Sequence, residues 1–340
     1  MTSEAPTSPR EALATLDDVP RSRLATLPTP LERGPGLPGG ARLWVKCDDL
    51  TGLGAGGNKA RKLEFLCGEA LRSGARSLVT VGAGQSNHCR MTAAAGAVLG
   101  LEVHLVLSGE RPARATGNQL LAEMFGAQLH YVGCPPSHWG ELEIAGEQLT
   151  ETLVADGAAP FSIPIGGSTA TGALGYLVAY LEIVEQCRAS GIVPAAVVHT
   201  SSSGGTHAGL VAGRALLRAT GDDAAPPVLA IGVAKGVVLG IPDVQDLARQ
   251  TLALIGSSAP VTDADVEIDD RWIGDDYGVP TRAGREGIRW AAVHGGWVLD
   301  ATYTGKGFAG LLGNAASGRW RTGEDVVFVH TGGLPGVFAE

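Results

Sequence analysis

Cysteine is scarce and scattered. Cys47, Cys67, Cys89, Cys134 and Cys187 form an odd set with no C-x-x-C pair, so neither a disulfide framework nor a zinc ribbon fits. Free buried thiols in a reducing cytoplasm are the expectation. No apolar run reaches the ~18 residues of a membrane span, and the N-terminus has no signal-peptide core, with residues 1–9 reading as a mobile lead. Positive charge is in deficit. Against 35 Asp and Glu stand 26 Lys and Arg, a net charge of −9, which argues against nucleic-acid and anionic-membrane partners but leaves room for a small anionic substrate. Internal repeats and low-complexity segments are also missing, and no cluster of residues suggests a metal.

Glycine is plentiful instead. At 50 of 340 residues it runs at about twice the ~7% average usage, which predicts many tight turns and close backbone approaches. Apolar residues at 44% supply a sizeable core, and the length suits about two domains of ~150 residues. Buried strand patterns at 77–81, 103–107 and 128–132 alternate with helical patterns at 86–99 and 118–125. This alternation predicts parallel βαβ units. A second series has a helix at 171–189, strands at 195–199 and 228–233, and a helix from Thr206 between them. Further helices fit 243–255, 282–294 and 306–316, with a last strand at 326–329. The layout expected is α/β, with a small domain at 62–169 inserted between the two parts, 1–61 and 170–340, of a larger one.

Four segments carry chemistry. In Gly56-Gly57-Asn58-Lys59-Ala60-Arg61-Lys62-Leu63-Glu64, glycines lead to Asn58, a good N-cap, and then to a helical face of Leu63, Leu66, Ala70 and Leu71. Lys59 therefore falls in the first helical turn, where the helix dipole disfavours a cation unless it is neutral, paired or covalently bound. A lysine of lowered pKa is suited to bonding with a carbonyl cofactor. Gly82-Ala83-Gly84-Gln85-Ser86-Asn87-His88 joins a strand end to a helix start, an anion-binding arrangement, and is no dinucleotide fingerprint. Ordinary capping by Ser86 or Asn87 accounts for the same residues. Ser201-Ser202-Ser203-Gly204-Gly205-Thr206 repeats that arrangement, with small residues and hydroxyls able to wrap a phosphate, but without the lysine of a Walker loop. Tyr277 and Tyr303, two of only five tyrosines, stand at loop-to-helix junctions, as packing residues or as site residues.

Five motifs in this order resemble one family. Gly-Gly-Asn-Lys-x-Arg-Lys-Leu-Glu, Gln-Ser-Asn-His, Gly-Gly-Thr-His-Ala-Gly-Leu, Tyr-Thr-Gly-Lys and His-Thr-Gly-Gly-Leu-Pro are similar to those of the D-cysteine desulfhydrase and 1-aminocyclopropane-1-carboxylate deaminase family, over residues 20–338. The resemblance implies the tryptophan-synthase-β-like fold (fold type II), with pyridoxal 5′-phosphate between two open parallel-sheet, three-layer domains, and a homodimer. It implies Lys59 as the Schiff-base lysine, Asn87 as partner of the cofactor 3′-oxygen, and Ser86, Asn87 and His88 as holders of a substrate carboxylate. Ser203, Gly204, Gly205 and Thr206 would grip the phosphate, Thr331 would face the pyridine nitrogen, and Tyr277 and Tyr303 would be the active-site tyrosines. Two positions depart from the pattern: Cys47 stands for a usual Arg, and Ser202 for a usual loop glycine.

With that cofactor as electron sink, Lys59 serves as base at Cα and a β-leaving group departs. D-cysteine would give pyruvate, ammonia and hydrogen sulfide, with L-cysteate and other β-substituted amino acids also open. The deaminase alternative would open an aminocyclopropane ring to 2-oxobutyrate. His88, Thr304 and Thr331 depart from the deaminase pattern and favour elimination, the two threonines leaving the cofactor ring without a nearby carboxylate. A non-catalytic carrier of the cofactor is the alternative of another class.

Overall fold

A computed structural model describes residue 14, residues 16–222 and residues 224–339. The lead expected at residues 1–9 lies outside them. The chain runs β1 (Leu31–Gly36), β2 (Arg42–Lys46), α1 (Lys59–Arg72), β3 (Ser77–Gly82), α2 (Asn87–Leu99), β4 (Glu102–Leu107), α3 (Gly117–Met124), β5 (Gln128–Tyr131), α4 (Trp139–Ala155) and β6 (Pro160–Ile163). It continues through α5 (Ala170–Ala189), β7 (Pro194–Ser201), α6 (Gly205–Ala219), β8 (Val228–Gly232), α7 (Lys235–Val238), α8 (Val244–Leu254), β9 (Glu267–Asp269), α9 (Arg282–Gly295), α10 (Thr304–Ala316) and β10 (Asp325–Val329).

The strands form two sheets. One has the order β1-β2-β10-β7-β8-β9, the other β5-β4-β3-β6. Only the β1–β2 pair is antiparallel among the described pairings. Strands β3, β8 and β10 are buried along their whole length, as parallel strands covered on both faces must be, so their apolar runs do not alternate.

The elements expected from periodicity form within a residue or two of their expected ends, whereas β1, β2, α4, α7, β6 and β9 were not anticipated. Their signals are weak for physical reasons. Helix α4 carries an apolar stripe at Trp139, Leu142, Ala145 and Leu149, but of its 17 residues only Leu142 and Gly146 are fully buried, and exposed Ile144 and Val154 blur the pattern. Arg42 opens β2 and is held by Asp325 of β10 at 2.8 Å, a partner nearly the whole chain away.

Helix α1 is the wall shared by the two halves of the core. Its Leu63, Leu66, Cys67 and Ala70 pack with Leu78 of β3 and Leu105 of β4, while Phe65 joins Leu174 and Leu177 of α5. Gly175 of α5 makes that second contact close: a Cβ there would lie 2.3 Å from the Arg61 carbonyl oxygen. The carboxyl ends of β3, β7 and β10 lead into the loops that carry the glycine motifs, which is where ligands bind in open α/β sheets.

Candidate active site

A cavity of about 420 Å³ opens where those loops meet. Lys59, Ser86, Asn87, His88, Ser203, Gly204, Thr206, Tyr277, Tyr303 and Thr331 all line it, so residues spread over most of the chain come together. Gly205 lies immediately behind this surface as the first residue of α6.

Lys59 is the first residue of α1 and is half-buried at the cavity wall. Burial alone lowers its ammonium to about 8, with no carboxylate near enough to oppose the shift. Asn58 does not cap α1 with its side chain, contrary to the expectation from its position. Instead its Nδ2 donates to Thr206 Oγ1 at 3.1 Å, and its backbone N–H donates to the Thr331 carbonyl at 3.0 Å. One asparagine thereby ties the lysine, the Ser-Gly loop and the 331 loop together.

The loop after β3 behaves as its sequence suggests at Ser86, whose Oγ accepts from Cys89 N–H at 3.2 Å. The first-turn N–H groups of Asn87 and His88 have no partner within the helix, and both residues line the cavity, an arrangement that favours an anion. Asn87 Oδ1 is oriented by Asn118 Nδ2 at 3.1 Å. The His88 ring takes a different part from the one implied by resemblance. Its Nε2 lies 2.9 Å from Thr80 Oγ1, whose own proton goes to the Ile163 carbonyl. Burial holds the imidazole neutral, with the Lys59 and Lys62 charges adding to the shift. The ring N–H therefore points at Thr80, Nδ1 carries no proton, and the donor His88 offers an anion is its main-chain N–H.

The Ser-Gly loop forms a cup. Gly204 has φ +78°, a left-handed turn that lets α6 begin facing the cavity. Ser168 Oγ donates to Ser203 Oγ at 3.0 Å and accepts from Gly205 N–H at 3.3 Å. Beneath the cup, Lys62 Nζ donates to the Gly166 carbonyl at 2.8 Å. Burial, and then the charge of Lys59, lower its ammonium well below the usual range. Thr200 Oγ1 and Ser201 Oγ line the cavity but are buried without a hydrogen-bond partner, as is Nδ1 of His88. Orphaned polar atoms of this kind call for a polar ligand.

On the opposite wall the hydroxyls of Tyr277 and Tyr303 are hydrogen-bonded to each other. Burial raises both phenols, so both keep their protons at neutral pH. Beside them lies Asp300, which sequence reasoning missed. Its carboxylate accepts from the N–H groups of Thr302, Tyr303 and Thr304 and from the Thr304 hydroxyl, at 2.6 to 3.2 Å, while burial raises its pKa. This corrects the expectation of a carboxylate-free environment: Thr304 is turned to Asp300 rather than to the cavity, and Asp300 lines the cavity itself. An acceptor placed ahead of a helix start was the available signal. Trp139 and Glu143 were also missed, because exposed Ile144 and Val154 blur the apolar stripe of α4.

Of the two departures, Cys47 is buried against Leu43 and Val45, away from the cavity, with its thiol pushed up to about 12 by burial. Ser202 does line the cavity. Among the described residues no group of three His, Cys, Asp or Glu could hold a metal.

The model of the pyridoxal-phosphate dependent enzymes matches residues 23–332. A D-cysteine desulfhydrase of Salmonella choleraesuis (strain SC-B67) is 40% identical over 331 residues, covering 94% of this chain and 96% of that protein. A crystal structure of an ACC deaminase homologue superimposes with a TM-score of 0.85 at 36% identity, over 96% of each chain. The cysteine synthase of Entamoeba histolytica, at 16% identity, has a TM-score of 0.62 over 89% of this chain and 84% of its own and shares the fold.

Proposed function

The chain belongs to the pyridoxal-phosphate dependent enzyme family, with the fold type II architecture, and on that premise we propose α,β-elimination on a small β-substituted amino acid, D-cysteine first, to pyruvate, ammonia and hydrogen sulfide. One observation carries most weight: Lys59, lowered to about 8 by burial alone, shares a cavity with an anion cup and a second, independent helix start. The residues present fit the cofactor. Ser203, Gly204, Gly205 and Thr206 would hold its phosphate, Asn87 its 3′-oxygen, Thr331 its ring nitrogen and Lys59 its aldehyde carbon. When bound, pyridoxal phosphate supplies an electron sink for the pair left at Cα.

The chain's own groups do the rest. Ser86, Asn87 and the His88 N–H bind the α-carboxylate and orient Cα. Lys59, with a substantial neutral fraction near pH 8, takes the Cα proton. The Tyr277–Tyr303 pair keeps its protons and can give one to a departing thiolate, so the leaving group departs neutral.

Asp300 gives one specific support to the deaminase alternative, since it places a carboxylate near the tyrosine that ring opening requires. Comparison of kcat/KM for D-cysteine and 1-aminocyclopropane-1-carboxylate on one preparation separates the two, with pyruvate and 2-oxobutyrate quantified separately. Pyruvate from D-cysteine at least tenfold more efficiently is expected. That ratio needs only ~1.4 kcal/mol of differential transition-state stabilisation. Efficient 2-oxobutyrate formation without pyruvate from any β-substituted substrate would make the chain a deaminase, and a cofactor spectrum unmoved by any amino acid would make it a carrier.

The same proposal takes the working form as a cytoplasmic homodimer. The five buried free thiols suit a reducing compartment, and no described helix is long and apolar enough to cross a membrane. It takes 62–169 as a small domain within 1–61 plus 170–340, supported by a four-stranded sheet whose strands all fall between Ser77 and Ile163.

A further inference from the structure

The first turn of α4 faces the cavity with Trp139, Gly140 and Glu143. Positions i and i+4 of a helix lie one above the other, so an indole and a carboxylate share one face of the wall. The indole is fixed edge-to-face against Tyr277, ring centroids 4.6 Å apart and planes at 82°. Glu143 Oε1 accepts from the Ile165 N–H at 2.9 Å, and Oε2 has no hydrogen-bond donor among the described residues. The other acid lining the cavity, Asp300, is already saturated with four donors. Among the described residues no arginine lines the cavity, and the one lysine that does is Lys59, which the proposed reaction already uses. The α-carboxylate has a binding place at the start of α2. A second anion on the substrate would meet no cation and one free carboxylate oxygen.

We propose that Glu143, with Trp139 beside it, selects the charge of the β-substituent: the site accepts neutral and positively charged substituents, takes 2,3-diaminopropionate as a substrate, and rejects a β-sulfonate such as cysteate. This rests on the elimination chemistry proposed above and names the substrate class it serves. A β-ammonium near a free carboxylate oxygen is bound by charge and hydrogen bond together, and an aromatic neighbour adds to the attraction for a cation. In the reaction the Cα proton goes to Lys59, and the Cβ–N bond breaks with its electron pair on nitrogen, which leaves as ammonia. Water then replaces the α-nitrogen. One diaminopropionate and one water give pyruvate and two ammonia, with no net oxidation.

Glu143→Gln tests this cleanly, because the amide oxygen still accepts from Ile165 and only the charge is lost. The measurement is kcat/KM for pyruvate release from 2,3-diaminopropionate, β-chloroalanine and cysteate, each as both enantiomers, on the cofactor-loaded wild type and the variant. The wild type should use the first two and leave cysteate at least about tenfold behind. In the variant, diaminopropionate should fall about tenfold, β-chloroalanine should change less than about threefold, and cysteate should rise. If β-chloroalanine yields pyruvate but diaminopropionate does not, or if all three change by the same factor in the variant, charge selection by Glu143 is overturned while elimination stands. If no β-substituted substrate yields pyruvate, the elimination reading itself has failed, and the inference with it.

Discussion

Helix α1 treats its cations in two opposite ways. On one face Arg61 is fully buried, with Nε and Nη2 donating to the Asp48 carboxylate at 2.9 and 2.8 Å and both terminal nitrogens reaching Glu182 at 3.0 and 2.9 Å. Tyr176 donates to Asp48 at 2.6 Å and Lys46 pairs with Glu182, so each buried charge has an opposite neighbour. These carboxylates hold the guanidinium well above its ordinary range despite burial. On the other face Lys59 and Lys62 have no carboxylate among the groups that shift them, and burial drives both down. A buried ion that is paired is part of the scaffold. One left unpaired beside a cavity is disposed to give up its proton, which is the property a catalytic amine needs.

The largest test of this contrast is Lys59→Ala. Turnover should fall by about three orders of magnitude or more while the protein stays folded. Borohydride should no longer trap the cofactor on the chain, as read by mass spectrometry. A trapped adduct persisting in the variant would move the covalent role to another lysine and dissolve the contrast.

Arg61→Leu strikes the paired face. It leaves Asp48 and Glu182 buried without their main partner and should cost ~3–5 kcal/mol in urea unfolding. A loss below ~1 kcal/mol would mean that the network is not what fixes α1.

The two faces should also titrate in opposite windows. Asp48 and Glu182 have carboxyls lowered by Arg61, so the stability they contribute is present above the ordinary carboxylate range and lost as pH falls through and below it. For Lys59 the unfolded chain binds more protons between about 8 and the ordinary 10.5, so the cofactor-free protein should gain stability as pH rises through that interval. Covalent capture of pyridoxal phosphate should rise about tenfold per pH unit up to about 8 and then level off, since only the neutral amine reacts. A capture rate flat from about pH 6 to 9 would contradict the lowered lysine.

The smallest effect expected is at the cup. In Gly205→Asp the new Cβ would come within 2.6 Å of Lys62 Nζ and 2.9 Å of Ser168 Cα, and its carboxylate would oppose a phosphate in a partly dehydrated site. Pyridoxal phosphate affinity, measured by titration after dialysis, should weaken about tenfold. Unchanged affinity would place the phosphate elsewhere.

Much of this architecture is local and could be read along the chain. The largely apolar, non-alternating runs of β3, β8 and β10 announce strands covered on both faces, and the glycine motifs after β3 and β7 announce strand ends aimed at helix starts. Lys59 in the first turn of α1 is equally local, because helix phase and dipole follow from a few neighbouring residues. What α4 does is not local. Exposed Ile144 and Val154 blur its apolar stripe, and Trp139 and Glu143 become wall residues only because β3 and β6 hold that helix over the cavity.

The sequence by itself determined the alternating α/β order, the positions of the glycine turns and the place of Lys59 in the first turn of α1, since periodicity, turn chemistry and helix phase act over a few residues. Tertiary structure alone decided that Asn58 would tie three loops rather than cap a helix, that His88 would turn to Thr80, that Tyr277 and Tyr303 would pair, and that Asp300 would stand beside them. It alone decided that Arg61 on α1 would be paired and held charged while Lys59 and Lys62 would be left without a carboxylate. Charge state under burial depends on every group within a few ångströms, and here those groups come from 13 to 121 residues away along the chain.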